Sequence, residues 1–222
     1  MTGPARWQIV DSYFDLYMIS HMRRTYRQRI ESLLQTKGFL DRRSVADAGI
    51  HTQYLTRMVA EGALERIAPG RYRYPNAQVS EHHGLVLASV AAPHAVVCLL
   101  SALSVHGIGT QLPAEVWVAI ERGTTAPRLL SPALRVVRYS GSAFTEGIEV
   151  HRIERQEVRV YSVAKTLADL FKARNRIGVD VAVEALREAW RDRRFRMTEL
   201  DRAAKACRVE RVMRPYVEGV VA

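Results

Sequence analysis

Residues 50–61 read IHTQYLTRMVAE, in which apolar and polar side chains recur with the period of an α-helix. Leu55, Met58 and Val59 share one side of this helix, which we expect to be its buried face. The helix is expected to begin near His51. Its polar side carries Thr52, Gln53, Thr56, Arg57 and Ala60. The segment therefore predicts an amphipathic helix whose polar face is available for binding.

Two further helical segments precede this one. Residues 23–37 form an amphipathic pattern that ends at Gly38, where a left-handed backbone conformation suits glycine. Residues 41–49 predict a second, short helix with Val45 and Ala46 turned toward the core. A short helix and an amphipathic helix joined by a tight turn are typical of the helix-turn-helix.

A β-hairpin is expected after the third helix. Residues 64–67 and 71–74 are short β-prone segments on either side of Ala68-Pro-Gly70, in which proline presets the turn and glycine accepts a positive φ. Three helices followed by a hairpin predict a winged helix-turn-helix domain over residues 22–76. We interpret residues 1–21 as an N-terminal extension, either an additional helix or arm or the result of a start codon placed too early.

Residues 77–222 predict a second domain of mixed α/β structure, which makes the chain α+β overall. Helices are expected over residues 80–91 and 95–105, and Ser162 is expected to cap a helix that runs to about Gly178. Further helices follow toward the end of the chain. Short β-branched segments predict four strands, over residues 116–120, 134–139, 148–153 and 158–161.

The charge of the chain favours a polyanionic partner. It carries 33 Lys and Arg against 23 Asp and Glu, a formal net charge of +10, and each basic side chain brought to a phosphate releases counterions. Cys98 and Cys207 lie in apolar surroundings without a metal-binding spacing, which indicates buried thiols in a reducing compartment. Because no apolar run approaches the ~20 residues that span a bilayer, and no signal-peptide pattern is present, we expect a cytoplasmic protein without a membrane partner.

The polar face of the third helix has the chemistry needed to read DNA. Gln53 can pair with adenine and Arg57 with guanine. Thr52 and Thr56 can meet a thymine methyl group or a phosphate. Contacts to phosphates are expected from nearby arginines, namely Arg42, Arg43, Arg66, Arg71 and Arg73. Two other interpretations stay open, that this face is merely solvated or that the domain binds another protein.

Two charged features stand out in the second domain. Lys165 and Asp169 are four residues apart and are expected on the exposed side of their helix, as an ion pair worth ~0.2–0.5 kcal/mol. The densest basic cluster in the chain comprises Arg191, Arg193, Arg194 and Arg196. This cluster fits a second nucleic-acid surface, and it fits equally well the cations that a helix dipole favours near a helix C-terminus.

Neither catalytic chemistry nor a metal site is expected. Ser101 and Ser104 precede His106 but lie outside a G-x-S-x-G motif. Gly141-Ser142, which could open a nucleotidyltransferase site, lacks the paired carboxylates that such a site needs for its metal ions. No carboxylate or cysteine stands at a metal-binding spacing near His82, His83, His94 or His106. We therefore expect no enzyme, no metal and no cofactor.

Four segments carry a family resemblance. They read PGRYRYP (residues 69–75), VCLLSALSVHG (97–107), VWVAI (116–120) and VRVYSVAKTLADLFK (158–172). In this order they resemble the AbiEi-type abortive-infection antitoxin family, and the resemblance extends from about residue 23 to about residue 190. Lys165, Asp169 and Lys172 belong to the fourth segment, so the resemblance makes them candidates for an antitoxin function.

The resemblance implies a specific biological role. It implies a winged-helix domain that binds inverted repeats in the protein's own promoter. It also implies a second domain that counteracts a nucleotidyltransferase toxin of the same operon without a stable complex, which is the type IV arrangement in phage defence.

Two functions are compatible with these features. The first is a transcriptional repressor and antitoxin that autoregulates its operon, bound to double-stranded DNA as a monomer or a dimer. The second is a stand-alone winged-helix regulator whose second domain senses a ligand or mediates oligomerisation. An enzyme acting on nucleic acid is disfavoured, because the sequence lacks a pattern for the metal site that such chemistry uses.

Overall fold

The computed structural model describes residues 26–36, 38–75, 80–127, 129 and 131–221. The chain divides into two compact units, Met1–Ala77 and Gln78–Ala222. The extension expected over residues 1–21 lies outside the described residues.

The described part of the first unit consists of helices and a small sheet. Helix α1 occupies residues 26–36. The elements that follow are β1 (Leu40–Asp41), α2 (Arg42–Asp47), α3 (Thr52–Ala60), β2 (Glu65–Ala68) and β3 (Arg71–Arg73). The strands pair in the antiparallel order β1-β3-β2. Helix α3 and both hairpin strands lie within one residue of their predicted positions.

Strand β1 is not predicted by the sequence. Leu40 pairs with Tyr72, and Asp41 pairs with Arg71 of β3. The Asp41 carboxylate also caps α2, because it accepts a hydrogen bond from the backbone N–H of Ser44 at 2.7 Å. Two residues are too few to display an alternating pattern, so this strand depends on the hairpin beside it rather than on a signal of its own.

The core of the first unit lies between the apolar sides of the helices and the sheet. Val45 is fully buried as predicted, but Ala46 is exposed and the prediction for it is wrong. Ser44 takes the buried place, since its hydroxyl donates to the Asp41 carboxylate at 2.7 Å. The other buried apolar side chains are Ile30, Leu34, Leu40, Ile50, Leu55, Met58, Leu64 and Tyr72.

The second unit has a five-stranded sheet covered by helices. Its elements are α4 (His83–Ala91), β4 (Val96–Val97), α5 (Leu99–His106), β5 (Val116–Glu121), β6 (Leu134–Tyr139), α6 (Ser142–Thr145), β7 (Ile148–Ile153), β8 (Gln156–Tyr161), α7 (Val163–Lys172), α8 (Arg174–Ile177), α9 (Val179–Arg191), α10 (Met197–Cys207) and α11 (Glu210–Val221). The strand order is β6-β5-β4-β8-β7. The β5–β6 and β4–β8 pairs are parallel, whereas β4–β5 and β7–β8 are antiparallel. Strands β6 and β7 have the predicted bounds.

Two predicted helices of the second unit differ from the structure. The helix expected over residues 95–105 starts only at Leu99, because Val96–Val97 form β4 between β5 and β8. A short, fully buried apolar run does not distinguish a central strand from a buried helix. The helix expected to reach Gly178 ends at Lys172, and the short helix α8 follows it.

Helix α7 lies at the centre of the second core. It packs against α5, α9, α10 and α11, and each of its residues from Val163 to Phe171 is buried. Ser162 caps the helix as predicted, since its hydroxyl accepts the backbone N–H of Lys165 at 3.3 Å. None of the described helices in the chain has the length and apolar composition that crossing a lipid bilayer requires.

Candidate nucleic-acid interface

The exposed face of α3 is the one that the sequence predicts. Leu55 and Met58 are buried against the core. His51 precedes the helix, and its Nδ1 accepts the backbone N–H of Gln53 at 3.4 Å, so a histidine acts as the N-cap. The exposed residues of this face are Thr52, Gln53, Thr56, Arg57 and Ala60. The face therefore presents two hydroxyls, one amide and one guanidinium to solvent.

Arg57 has a partner on its own helix. Its Nε lies 2.7 Å from Oε1 of Glu61, and both side chains are about half exposed. An exposed pair four residues apart on a helix contributes only about 0.3–0.5 kcal/mol. The guanidinium can therefore exchange Glu61 for another acceptor at little energetic cost. Glu61 stands four residues after Arg57, so the spacing that allows this pair is visible in the sequence.

The start of α2 lies against the turn of the hairpin. Arg42 and Arg43 are both exposed. A Cβ atom added to Gly70, whose φ is +72°, would lie 3.2 Å from Cγ of Arg42, so the alkyl part of Arg42 runs along this turn. The glycine thus provides both the left-handed backbone and the room for the arginine side chain. This contact places a guanidinium of α2 beside the hairpin.

The three hairpin arginines differ in their surroundings. Arg66 is exposed, and its Nε donates to the carbonyl of Ala68 at 3.4 Å. Arg71 forms an ion pair of 3.0 Å with Asp41. Arg73 forms an ion pair with Glu65. Arg66 is therefore more accessible to a phosphate than Arg71 or Arg73, each of which has to leave a carboxylate first.

Lys165 and Asp169 do not lie on an exposed helix face, and this prediction is wrong. Both side chains are completely buried. Lys165 Nζ lies 2.7 Å from Oδ1 and 2.6 Å from Oδ2 of Asp169. The prediction treated α7 as a surface helix, but helices on several sides cover it. The third residue of this set, Lys172, is exposed at the end of α7.

Aromatic rings and a thiol complete the surroundings of this buried ion pair. Lys165 Nζ lies 4.0 Å from the ring centre of Tyr161 and 4.7 Å from that of Tyr139, distances at which a cation is attracted to a ring face. The thiol of Cys207 donates to Oδ1 of Asp169 at 3.2 Å. Strand ends, α7 and α10 contribute to this cluster, so no local sequence spacing could have revealed it.

Burial controls the ionisation of this cluster. It raises the pKa of Asp169, while the positive charge of Lys165 opposes the shift. Burial, together with the charge of Asp169, raises the pKa of the Cys207 thiol to about 12. Burial also raises the pKa of Cys98 and those of Tyr139 and Tyr161. The thiols and phenols around the ion pair are therefore neutral at physiological pH.

The basic residues at and after the end of α9 are partly engaged within the second unit. Arg191 forms an ion pair of 2.8 Å with Asp192. Arg194 donates to the backbone carbonyl of His106 at 3.0 Å. Arg193 and Arg196 are exposed. A nucleic-acid surface at this cluster stays a prediction.

Ser101 and His106, which lie near each other in the sequence, make contacts that support the fold. The Ser101 hydroxyl is buried and accepts the backbone N–H of Trp117 at 3.0 Å. His106 Nε2 lies 2.7 Å from the carbonyl oxygen of Tyr161. These contacts link α5 to the sheet.

Comparisons with known proteins find a family to which part of the first unit is similar. Residues 28–75 match the family described as "Transcriptional regulator, AbiEi antitoxin". No curated protein sequence matches the chain. The crystal structure of the RV2827C protein from Mycobacterium tuberculosis has a similar fold, with a TM-score of 0.61 at 12% identity over 88% of this chain and 77% of that one. At this identity the likeness concerns the fold alone. Residues 28–75, which contain α2, α3 and the hairpin, are thus similar to the AbiEi antitoxin transcriptional regulators, and the family resemblance inferred from the sequence is confirmed for this segment.

Proposed function

We propose that this protein is a DNA-binding transcriptional regulator whose first unit is a winged helix-turn-helix. In this proposal α3 is the recognition helix, and strands β2 and β3 form the wing. The observation that carries the proposal is the exposed face of α3, where Gln53, Thr56 and Arg57 lie opposite the buried Leu55 and Met58. The match of residues 28–75 to a family of transcriptional regulators supports it independently.

The proposed contacts divide into two kinds. Gln53 and Arg57 read base edges, with Thr52 and Thr56 beside them, because amide and guanidinium groups can make paired hydrogen bonds in the major groove. Phosphates are held by the arginines of α2 and the hairpin. Arg42, Arg43 and Arg66 are exposed and can bind a phosphate directly. Arg71 and Arg73 can bind one only when the phosphate displaces their carboxylate partners.

We further propose that the protein acts as a repressor and antitoxin of its own operon. The support is the family description for residues 28–75, which names an antitoxin, and the resemblance of segments 97–107, 116–120 and 158–172 of the second unit to the same family. The regulator would bind inverted repeats in its promoter and counteract a nucleotidyltransferase toxin as a type IV antitoxin. In this role the protein binds and does not catalyse. Because Lys165 and Asp169 are buried, the exposed Lys172 is the one of the three candidates able to touch another molecule directly.

An alternative keeps the DNA binding and replaces the antitoxin function. A stand-alone regulator would use its second unit to sense a ligand or to form dimers. If a toxin gene lies next to this gene, its expression distinguishes the two functions. An antitoxin should relieve the growth arrest caused by the toxin when the two proteins are produced together. Growth arrest that persists at equal toxin levels would favour the stand-alone regulator.

Footprinting of the DNA upstream of the gene tests the DNA-binding proposal. The full-length protein should protect a site that contains an inverted repeat, with one winged helix on each half-site. Affinity should fall steeply as salt increases, because bound arginines displace counterions. Uniform, sequence-independent protection at all protein concentrations would contradict specific regulation, and an absence of protection at low salt would contradict DNA binding.

A further inference from the structure

We propose that His106, Glu149 and His151 form a binding site for a transition-metal dication of the zinc class. One potential ligand atom from each side chain lies within 4.8 Å of the other two. The three residues come from two elements, the C-terminal end of α5 and strand β7. This site belongs to the second unit, and the proposal is independent of DNA binding.

His106 is oriented as a metal-binding histidine should be. Its Nε2 lies 2.7 Å from the carbonyl oxygen of Tyr161. A carbonyl can only accept a hydrogen bond, so Nε2 carries the proton, and a neutral ring then keeps a lone pair on Nδ1. A histidine that ligates a metal through one nitrogen usually donates from the other to a carbonyl or a carboxylate, which fixes the ring. The buried position of His106 holds this orientation.

Glu149 and His151 supply the other two groups from one side of β7. They are two residues apart on a strand, so their side chains point to the same face. Nε2 of His151 lies 3.3 Å from Oε2 of Glu149, and its ring centre lies 5.5 Å from that of His106. Glu149 is exposed and His151 is half-buried. A cation can therefore reach the site from solvent, and water can complete its coordination.

The donor set indicates which cation fits. Two imidazoles and one carboxylate suit Zn²⁺, Co²⁺ or Ni²⁺, whereas Mg²⁺ and Ca²⁺ prefer sites built from oxygen alone. Ligand atoms about 2.0–2.2 Å from a tetrahedral Zn²⁺ stand roughly 3.3–3.6 Å apart. The three groups, which lie within 4.8 Å of one another, therefore have to close by up to about 1.5 Å. The exposed Glu149 and the half-buried His151 have the freedom to do so.

One charge acts against a cation here. Arg194 donates to the backbone carbonyl of His106 at 3.0 Å, which brings its guanidinium close to the site. The site has no local signature in the sequence, because no carboxylate or cysteine stands at a metal-binding spacing near His106, and no metal was therefore expected. The carboxylate and the second imidazole lie on β7 instead, and folding brings β7 to the end of α5.

Titration of the metal-free, full-length protein with Zn²⁺ tests the site. In competition with a chromophoric chelator, the wild type and a His94→Ala control should each bind one Zn²⁺ per chain. His94 is an exposed histidine outside the cluster. His151→Ala should weaken binding by more than about 100-fold and Glu149→Gln by at least about tenfold, since even outer-shell substitutions weaken metal sites by about 10- to 100-fold.

Two controls keep this test decisive. Circular dichroism establishes that the variants of the accessible Glu149 and His151 remain folded. Co²⁺ bound to the wild type should give the intense visible absorption of a tetrahedral site, and His151→Ala should lack it. Equal Zn²⁺ affinity in the wild type and His151→Ala, or no stoichiometric binding by the wild type, would overturn the proposal.

Discussion

Lys165 Nζ lies within 2.7 Å of both carboxylate oxygens of Asp169, and neither side chain reaches solvent. A buried ion pair is not by itself strongly stabilising, because desolvation of both charges offsets their attraction. Loss of one partner is a different matter, since it leaves the other charge buried without compensation. This asymmetry leads to the first prediction.

Asp169→Ala or Lys165→Met should each lower the free energy of unfolding by about 3–5 kcal/mol, because each leaves one buried charge alone. The double variant Lys165→Met/Asp169→Leu should recover a large part of this loss. Urea denaturation measures the free energy of unfolding of all three variants. The exposed pair Arg27 and Glu31 is the matched control, and Glu31→Gln should change stability by less than ~0.5 kcal/mol. A double variant less stable than both single variants would argue that the charges themselves are required.

A close approach between the residue before β7 and the start of α7 leads to the second prediction. Gly147 has a φ of +65°, and a Cβ added there would lie 2.7 Å from Cβ of Lys165 and 2.8 Å from Oγ of Ser162. Gly147→Ala should therefore lower stability by about 2–5 kcal/mol through backbone strain and overlap. Gly219→Ala is the control, since a Cβ at that helical position meets nothing within 4 Å. It should be neutral or stabilising by up to ~1 kcal/mol. Similar thermal unfolding of both variants would be inconsistent with this contact.

The buried thiols give a chemical prediction. The chain has two cysteines, Cys98 and Cys207, both buried and free. Burial raises the pKa of both thiols, so the reactive thiolate is scarce at pH 8. Neither should react with Ellman's reagent in the native protein, and both should react after denaturation. Rapid modification of one thiol in the folded state would contradict the burial of that residue.

The contacts of Glu154 predict that the stability of the second unit depends on pH. It accepts hydrogen bonds from the backbone N–H and the hydroxyl of Ser80, and it lies 2.7 Å from Nδ1 of His83. Burial acts to raise the pKa of Glu154, but these hydrogen bonds outweigh it and lower the pKa below the ordinary 4.5. A carboxyl with a lowered folded-state pKa stabilises the protein above about pH 4.5, and this stabilisation is lost as the pH falls through the folded-state pKa.

This prediction is tested by measuring the free energy of unfolding of the wild type and two variants between about pH 6 and pH 3. Glu154→Gln should lose stability at pH 6 and should show a flatter decline toward acid than the wild type. Glu157→Gln alters an exposed carboxyl on the same hairpin and should keep the wild-type profile. A profile for Glu154→Gln parallel to that of the wild type would show that Glu154 is not the group responsible.

The sequence predicts well those features that depend on local pattern. The buried and exposed faces of α3 follow from the spacing of Leu55 and Met58, and the bounds of β6 and β7 follow from β-branched runs between turns. The wrong predictions concern segments whose structure or burial is determined by the elements packed around them. Val96 and Val97 form a strand because β5 and β8 lie on both sides. Lys165 is buried because other helices cover α7, which a single helical pattern does not reveal.

The sequence predicts which residues lie at the candidate interface, but not which carboxylates pair with its arginines. Gln53, Thr56 and Arg57 are exposed as expected. Asp41 and Glu65 hold Arg71 and Arg73 in contacts across the small sheet, and the pairing of β1 with β3 had no signal in the sequence. Short strands that are distant in sequence pair only in the assembled fold. A local sequence pattern therefore does not predict which side chains meet across such strands.

In the proposed function α3 reads DNA, and Arg57 offers the most direct test. Arg57 and Arg27 each form an exposed ion pair with a glutamate four residues later, Arg57 on α3 and Arg27 on α1. Alanine at either position therefore removes the same charge from the same kind of pair. The measurement is the affinity of the full-length protein for its footprinted upstream site by fluorescence anisotropy, at one fixed salt concentration.

Arg57→Ala should weaken specific binding by about 5- to 150-fold, equivalent to about 1–3 kcal/mol for one base-reading contact. Arg27→Ala should change the affinity by less than about threefold, because Arg27 lies on α1 rather than on the proposed recognition helix, and salt screens an exposed charge that makes no direct contact. Equal affinities of Arg57→Ala and Arg27→Ala for this site would contradict the assignment of α3 as the recognition helix.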